Sequence, residues 1–515
     1  MSLLKNFSVV SGATLLSRVL GLVRDILFFA TFGTSLIGEA FLLAFTLPNL
    51  FRRMLGEGTL SSAFIPVFTN SQKLDPEKGQ WELLNQVLSR LLLFLGILSA
   101  VVSLACWFAY GVSFFEIPKW QNAVFLNGIT FFYVIFICGS AILVGALNVK
   151  KSFWAGAFSP VILNLFMICA LFFSGFIYGL NFTFCAVILA VSVVLAGVSQ
   201  FLLPWFELRK RFEWDWKFNF SSSVDLSEVG SLFWVGVFGA AIAQINILIS
   251  RLLAYLLDEQ GPVSYLYMSA RLVELPLGVF AIALSTILFP HLSKAMGEGN
   301  LKDYKSSFFN GVRMISMLTV PSAIGLFILG DLVIKTLFQW KEFGGENVYM
   351  ASKVLSVIAW TIPIYALSTF LIKSFHSQKN MNVPLKGALI SLLVNLFASI
   401  MLMKDFGVMG LAWANLVAAV FQLFYLSVKN PHISGKSIFS SEQICIQKVV
   451  LASLCMCVIV NYCKEYTQFG VSKFAVLAQL FIAILIGAFS YFMILIISKF
   501  PFRDGKPLLF KLNQK

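Results

Sequence analysis

Charge is scarce in this sequence. Only 12% of its 515 residues are Asp, Glu, Lys or Arg, 59% are hydrophobic, and the mean hydropathy is +0.86. A soluble domain carries about 25% charged residues, so a soluble globular fold is excluded and a polytopic membrane protein is expected. Histidine is rarer still: His291, His376 and His432 lie far apart. The eight cysteines form no CxxC, and six of them (Cys106, Cys138, Cys169, Cys185, Cys455, Cys457) fall inside apolar runs. That usage indicates neither a zinc site nor a disulfide framework; single buried cysteines usually act as small hydrophobes. No phosphate-binding glycine loop and no nucleophile–base motif occurs, so no enzyme activity, metal or cofactor is expected. Strand alternation is missing too, and the apolar runs are too long for barrel strands. Helices remain as the way to satisfy backbone groups in hydrocarbon. The net charge of +14 does not indicate nucleic acid, because no arginine-rich or aromatic stacking module accompanies it. No cleavable signal peptide is expected, since "MSLLKNFSVVSGATLLSRVLG" lacks a clean apolar core before a small-residue cleavage site.

What is present is a series of long apolar segments. Fourteen candidate spans lie near 5–32, 36–70, 84–110, 122–149, 153–176, 182–206, 228–257, 263–292, 307–329, 349–375, 383–403, 406–428, 445–463 and 474–498. Each is near or above the roughly 20 residues that cross the hydrocarbon as a helix. Loops after even-numbered spans hold most of the basic residues: Lys150 and Lys151; Arg209, Lys210, Arg211 and Lys217; Lys294, Lys302 and Lys305; Lys373, Lys379 and Lys386. The positive-inside rule then places these loops, and both termini, in the cytoplasm.

An internal echo divides the chain. "LSSAFIP" (60–66) aligns with "LSTILFP" (284–290) at an offset of 224, which also sets "AFLL" (40–43) on "SYLY" (264–267). Span 2 then matches span 8, and six spans repeat as six. An even repeat keeps its topology, so the two lobes are related by a pseudo-two-fold axis along the membrane normal. The expected organisation is an N-lobe (1–208), a cytoplasmic linker (209–227), a C-lobe (228–430), and a terminal segment (431–515) with two extra helices and a basic tail.

Within these spans sit charges that lipid would penalise. The first span holds Ser17, Arg18, Arg24 and Asp25 in "SRVLGLVRD"; the second holds Glu39, then Arg52, Arg53 and Glu57 after Pro48. The eighth holds Arg271 and Glu274 in "SARLVELPLG". Helical spacing puts Arg18 in line with Asp25, Ser17 in line with Arg24, and Arg271 beside Glu274. Arg53, Arg90, Arg251 and Arg313 lie near span ends, where snorkelling to an interface is the simpler reading. Arg18 with Asp25 also fits a purely structural pair. Arg24, Arg52 and Arg271 lie deeper, and facing lipid would cost them together about 8–10 kcal/mol. They are expected to line a water-filled cavity, "SRVLGLVRD" forming one wall of an anion site. Arginine suits phosphate, because its planar fork bonds bidentately and stays charged. The acidic Asp25, Glu39 and Glu274 would hold the arginines or exchange partners during gating. Asn246, Asn395 and Asn415 are the weak candidates for a cation site, each read more simply as an interhelical hydrogen bond.

At these residues the sequence resembles a known family. "SRVLGLVRD", "LPNLFRRMLGEGTLSSAFIPVF" and "ARLVELPLGVFAIALSTILFP" closely resemble the MurJ (MviN) family of lipid II flippases, part of the multidrug, oligosaccharidyl-lipid and polysaccharide exporter superfamily. The resemblance runs over essentially the whole chain. It implies transport of the undecaprenyl-diphosphate-linked peptidoglycan precursor from the cytoplasmic to the periplasmic leaflet of the inner membrane, by alternating access. It implies substrate-binding roles for Arg18, Arg24, Arg52 and Arg271, and functional acidic positions at Asp25, Glu39 and Glu274. Glu39 stands where many relatives have Asp, and Thr46 where some have Lys. The resemblance gives the last two spans a groove for the lipid tail. The expected partners are lipid II, membrane lipids and the cell-wall synthesis machinery, with a monomeric chain. No cofactor is expected, and membrane potential or a monovalent cation is the candidate driving force. Two other transport readings compete: a flippase for another polyprenyl-diphosphate glycan, which the shared diphosphate permits, and a multidrug exporter, which the intramembrane arginines disfavour.

Overall fold

Apolar runs of this length, free of strand alternation, have one backbone solution, and in the computed structural model the regular structure of the described residues is helical. These are residues 3–54, 60–74, 79–112, 117–431, 441–466, 470, 472–498 and 500. Ten helices among them are long and apolar enough to cross a membrane by length and composition. Proline and glycine break several of the expected spans. The first is the single helix α1 (Leu3–Phe32), while the second divides into α2 (Leu36–Phe51) and α3 (Leu60–Leu74). Next come α4 (Gly79–Gly111), α5 (Pro118–Thr130) with α6 (Tyr133–Val149), α7 (Trp154–Leu171) ending in a π-helical turn at Phe172–Ile177, and α8 (Phe182–Phe212). They are followed by α9 (Val224–Leu256) and α10 (Pro262–Pro276), which a π-helical turn (Leu277–Ile282) joins to α11 (Ala283–Gly297). Further along are α12 (Leu301–Phe338), α13 (Gly345–Ile358) with α14 (Thr361–Ser377), α15 (Asn382–Lys429), α16 (Ser441–Tyr466) and α17 (Lys473–Ile497).

The eleventh and twelfth expected spans both fall in α15. The run reverses at Gly407, whose φ of 53° and ψ of −133° are open only to glycine. Past the turn, a Cβ on Gly410 would stand 2.3 Å from the Leu402 carbonyl oxygen, and one on Gly387 would meet Leu426 at 3.2 Å. Two antiparallel arms therefore pack on each other, and the turn admits no side chain.

By contacts the chain divides into two units, residues 1–264 with 338–347, and residues 265–337 with 348–515. In the first, α1 packs along α7, α2 against α5, α6 and α7 against α8, and α3 against α9. Its core includes Phe64, Phe68, Leu84, Leu88, Ile142 and Leu143, with Trp214 from the linker. Glu213 ends α8 in a left-handed conformation (φ 53°), and the chain then runs without regular structure to α9. Side chains of α4 hold it there: Trp214 Nε1 donates to Asn85 Oδ1 (3.0 Å), the Asn219 amide to Ser89 Oγ (3.1 Å), and Arg90 to the Ser221 carbonyl (2.9 Å). Arg90 thus fastens the linker instead of extending to solvent. In the second unit, Leu288, Leu292, Tyr304, Phe308, Phe370 and Phe375 form one core. A second core joins α12 to α16 and α17 through Ile328, Leu332, Val449, Met456 and Tyr491.

Candidate substrate-binding site

In the first unit α1 and α7 bring four polar side chains together. The Arg24 guanidinium donates to Asp25 Oδ1 from Nε (3.0 Å) and Nη2 (2.7 Å), and from Nη1 to Asn164 Oδ1 (3.0 Å). Asn164 in turn donates to the Ser17 carbonyl (3.0 Å) and hydroxyl (3.4 Å). The Arg24 side chain is 11% exposed and that of Asp25 3%. Here a guanidinium is held by a carboxylate and an amide. The in-line partner expected for Asp25 was Arg18. The structure pairs Asp25 with its chain neighbour instead, because the long Arg24 arm folds back across α1, and Arg18 is exposed.

Arg52 and Arg53 stand half-buried where α2 ends, and Arg52 Nε donates to Asn49 Oδ1 (3.0 Å). Glu57 lies outside the described residues. Arg271 and Glu274, in the second unit, pair with each other at 3.1 Å and are 34% and 48% exposed. They sit just before Pro276 and the π-helical turn, where the backbone departs from α geometry.

Glu39 is placed differently from the arginines. Fully buried, it accepts the backbone amides of Val263 (2.8 Å) and Ser264 (3.2 Å), the first residues of α10. A carboxylate at a helix N-terminus satisfies orphan donors and opposes the dipole. Its Oε2 has no hydrogen-bond partner among the described residues. Around it a polar cluster closes the same end of the unit. The Lys119 ammonium donates to the Leu257 carbonyl (2.9 Å) and lies 4.6 Å from the centre of the Tyr255 ring, while the Tyr255 hydroxyl donates back to the Lys119 carbonyl.

Sequence reasoning missed Asn164, Lys119 and Tyr255, none of which belongs to a charged motif. Arg251 was expected to snorkel. Its Nη1 instead donates to Thr46 Oγ1 (2.5 Å), so a cation from α9 reaches a buried hydroxyl on α2. Of the asparagines, Asn415 accepts from the Tyr365 hydroxyl (2.6 Å) and Asn395 from Ser399 (3.4 Å); Asn246 is half-buried on α9. Among the described residues no group of three His, Cys, Asp or Glu could hold a metal ion.

Ten long apolar helices, half-buried arginines and broken spans are the features of a multi-pass membrane protein. Solved structures share this fold. One, "Lipid II flippase MurJ, inward closed conformation", has a TM-score of 0.77 at 24% identity, covering 96% of this chain and 99% of that one. An inward-facing multidrug resistance MATE family transporter of the MOP superfamily follows, with a TM-score of 0.66 at 13% identity, covering 82% of this chain and 96% of that one. The sequence carries the assignment to a family. The family described as lipid II flippase MurJ matches residues 28–481. A probable lipid II flippase MurJ of Buchnera aphidicola is 31% identical over 89% of this chain and 90% of its own. The lipid II flippase MurJ of Burkholderia cenocepacia is 31% identical over 80% of each. The chain belongs to the lipid II flippase MurJ family.

Proposed function

We propose that this protein carries lipid II, headgroup and diphosphate together, from the cytoplasmic to the periplasmic leaflet of the inner membrane. The single observation that supports this most is the Arg24 guanidinium, held at 11% exposure by Asp25 and Asn164 within a membrane bundle. Paired charges at this depth mark substrate pathways, and the planar arginine fork suits a diphosphate. In this reading Arg18, Arg24, Arg52 and Arg271 line a central cavity, where their forks replace water around the diphosphate. Ser17, Asp25, Glu39, Arg53, Glu57 and Glu274 hold or exchange those charges as the cavity opens to one side and then the other. Fourteen helices form two six-helix lobes plus a terminal pair whose groove takes the polyprenyl tail. The lobes span 1–208 and 228–430, the linker 209–227, and the terminal segment 431–515. Both termini face the cytoplasm, the chain works as a monomer beside the cell-wall synthesis machinery, and no bond is made or broken. Membrane potential or a monovalent cation drives the cycle, each charge crossing the field contributing about 2.3 kcal/mol per 100 mV.

The test is the sidedness of lipid II in cells that depend on this protein. Depletion should collapse the access of a periplasmic probe to the headgroup, and Arg24→Ala and Arg271→Ala at matched expression should fail to restore it. Unchanged access on depletion would sink the reading, and the flippase for another polyprenyl-diphosphate glycan would take its place.

A further inference from the structure

We propose that a groove between the start of α7 and the end of α8 binds an anionic phospholipid of the surrounding bilayer, its phosphate between Lys210 and Arg211 and an acyl chain along Trp154, Leu203 and Phe206. The inference rests on the reading above in one respect, that these helix ends lie at the cytoplasmic membrane surface.

The groove has a volume of about 500 Å³ and is lined by Trp154, Leu203, Phe206, Glu207, Lys210 and Arg211. That is within the roughly 300–1,000 Å³ of small-ligand sites. Positions 203, 206, 207 and 210 recur at helical spacing, so they form one stripe along α8. The stripe changes character along its length. Leu203 and Phe206 are apolar; Lys210 and Arg211, one turn on, are cationic and exposed. Trp154, at the first turn of α7, supplies the facing wall and is 40% exposed. An apolar floor rising to a cationic rim along the membrane normal has the polarity of a phospholipid, chain below and phosphate above. Aromatic and basic side chains at this depth are the ordinary contacts of headgroups.

The rim is built in advance. Glu207 is buried, accepts from the Ser152 hydroxyl, and holds Arg211 Nη1 at 3.6 Å; the same nitrogen donates to Ser152 Oγ at 3.3 Å. Arg211 therefore keeps its place over the groove without a ligand, which lowers the ordering cost of binding. The neighbouring Lys150 is engaged elsewhere: its ammonium lies 5.2 Å from the centre of the Trp81 ring, and partial burial draws its pKa below the ordinary lysine value. Lys210 and Arg211 are thus the rim's cations.

Native mass spectrometry of the full chain in detergent, titrated with dioleoyl phosphatidylglycerol or dioleoyl phosphatidylcholine, tests the proposal. The wild type should bind the glycerol lipid more tightly than the choline lipid. Lys210→Gln with Arg211→Gln should weaken the glycerol lipid about thirtyfold and the choline lipid, whose ammonium offsets its phosphate, much less, so that the preference is lost. The charge-preserving pair Lys210→Arg with Arg211→Lys should retain the wild-type preference, which separates lost charge from lost fold. Trp154→Ala should weaken both lipids. Equal affinity for the two lipids, full binding by the glutamine pair, or displacement of phosphatidylglycerol by equimolar undecaprenyl phosphate would each overturn it. The last outcome would make the groove an entry point for the polyprenyl substrate. Binding in detergent needs no transport and no leaflet, so failure of the flippase reading leaves this measurement unaffected.

Discussion

Glu39 on α2 and Val263 at the start of α10 are joined by a 2.8 Å hydrogen bond from backbone amide to buried carboxylate, 224 residues apart in sequence. The Ser264 amide shares the same oxygen at 3.2 Å. Such a cap contributes about 1–2 kcal/mol when a side chain satisfies helix N-terminal donors. Glu39→Ala should lower the stability of the purified protein by about that amount. Glu39→Gln keeps an acceptor oxygen and should recover half or more. Thermal unfolding in detergent measures both, and an alanine variant as stable as the wild type would mean the contact contributes nothing.

The Arg24–Asp25 pair separates a structural role from a binding one. Removing the guanidinium alone leaves a carboxylate that is 3% exposed without its main partner, a loss of about 3–5 kcal/mol. Arg24→Ala should therefore lose both stability and transport. Arg24→Ala with Asp25→Asn removes the stranded charge and should regain most of the stability. If Arg24 binds the diphosphate, transport stays lost in the double variant. Recovery of transport along with stability would reduce Arg24 to a partner for Asp25.

Much of the helical framework was legible in the sequence because hydrocarbon leaves the backbone few choices. The apolar runs mark where helices lie, and Pro48 and Pro276 stand next to places where the helix changes pitch. Partners across the fold were harder to read. Asn164 meets Arg24 at a distance of 140 residues, and a lone asparagine in an apolar run carries no sign of that meeting. Arg251 looked like an interfacial residue because it stands near the end of its run, yet its side chain turns to Thr46. Periodicity reports which face a residue shares within its own helix. It is silent on which helix packs opposite, and these pairs depend on the opposite helix.

The turn inside α15 makes a backbone prediction. Gly407 holds a glycine-only conformation, and Gly407→Ala should cost about 1–3 kcal/mol. Gly410→Ala should cost at least as much, because its Cβ would stand 2.3 Å from a backbone oxygen that cannot yield cheaply. Gly387→Ala, where the neighbour is the flexible end of Leu426 at 3.2 Å, should be milder. Unfolding midpoints of the three variants should follow that order, and equal midpoints would contradict a tight reversal at Gly407.

The segment 338–347 should depend on its packing against the end of α1. The stretch "EFGGEN" (342–347) is acidic and glycine-rich. Yet Phe338 and Phe343 are fully buried, their rings 5.6 and 5.8 Å from Phe29, and Glu342 donates its amide to the Ala30 carbonyl (3.4 Å). Thr34 donates to Asn347 (3.0 Å), and Lys341 stands 3.8 Å from the centre of the Phe176 ring. Gly33 sits at φ +55°, and a Cβ there would lie 2.6 Å from the Glu342 carbonyl oxygen. Phe343→Ala should therefore destabilise by about 3–5 kcal/mol, as for a buried aromatic. Gly33→Ala should release the segment with a smaller global loss. Hydrogen exchange over 338–347 distinguishes the two: faster local exchange at near-normal unfolding temperature is expected for Gly33→Ala, and a lowered unfolding temperature for Phe343→Ala. Unchanged exchange in both would show that the segment holds its place without these contacts.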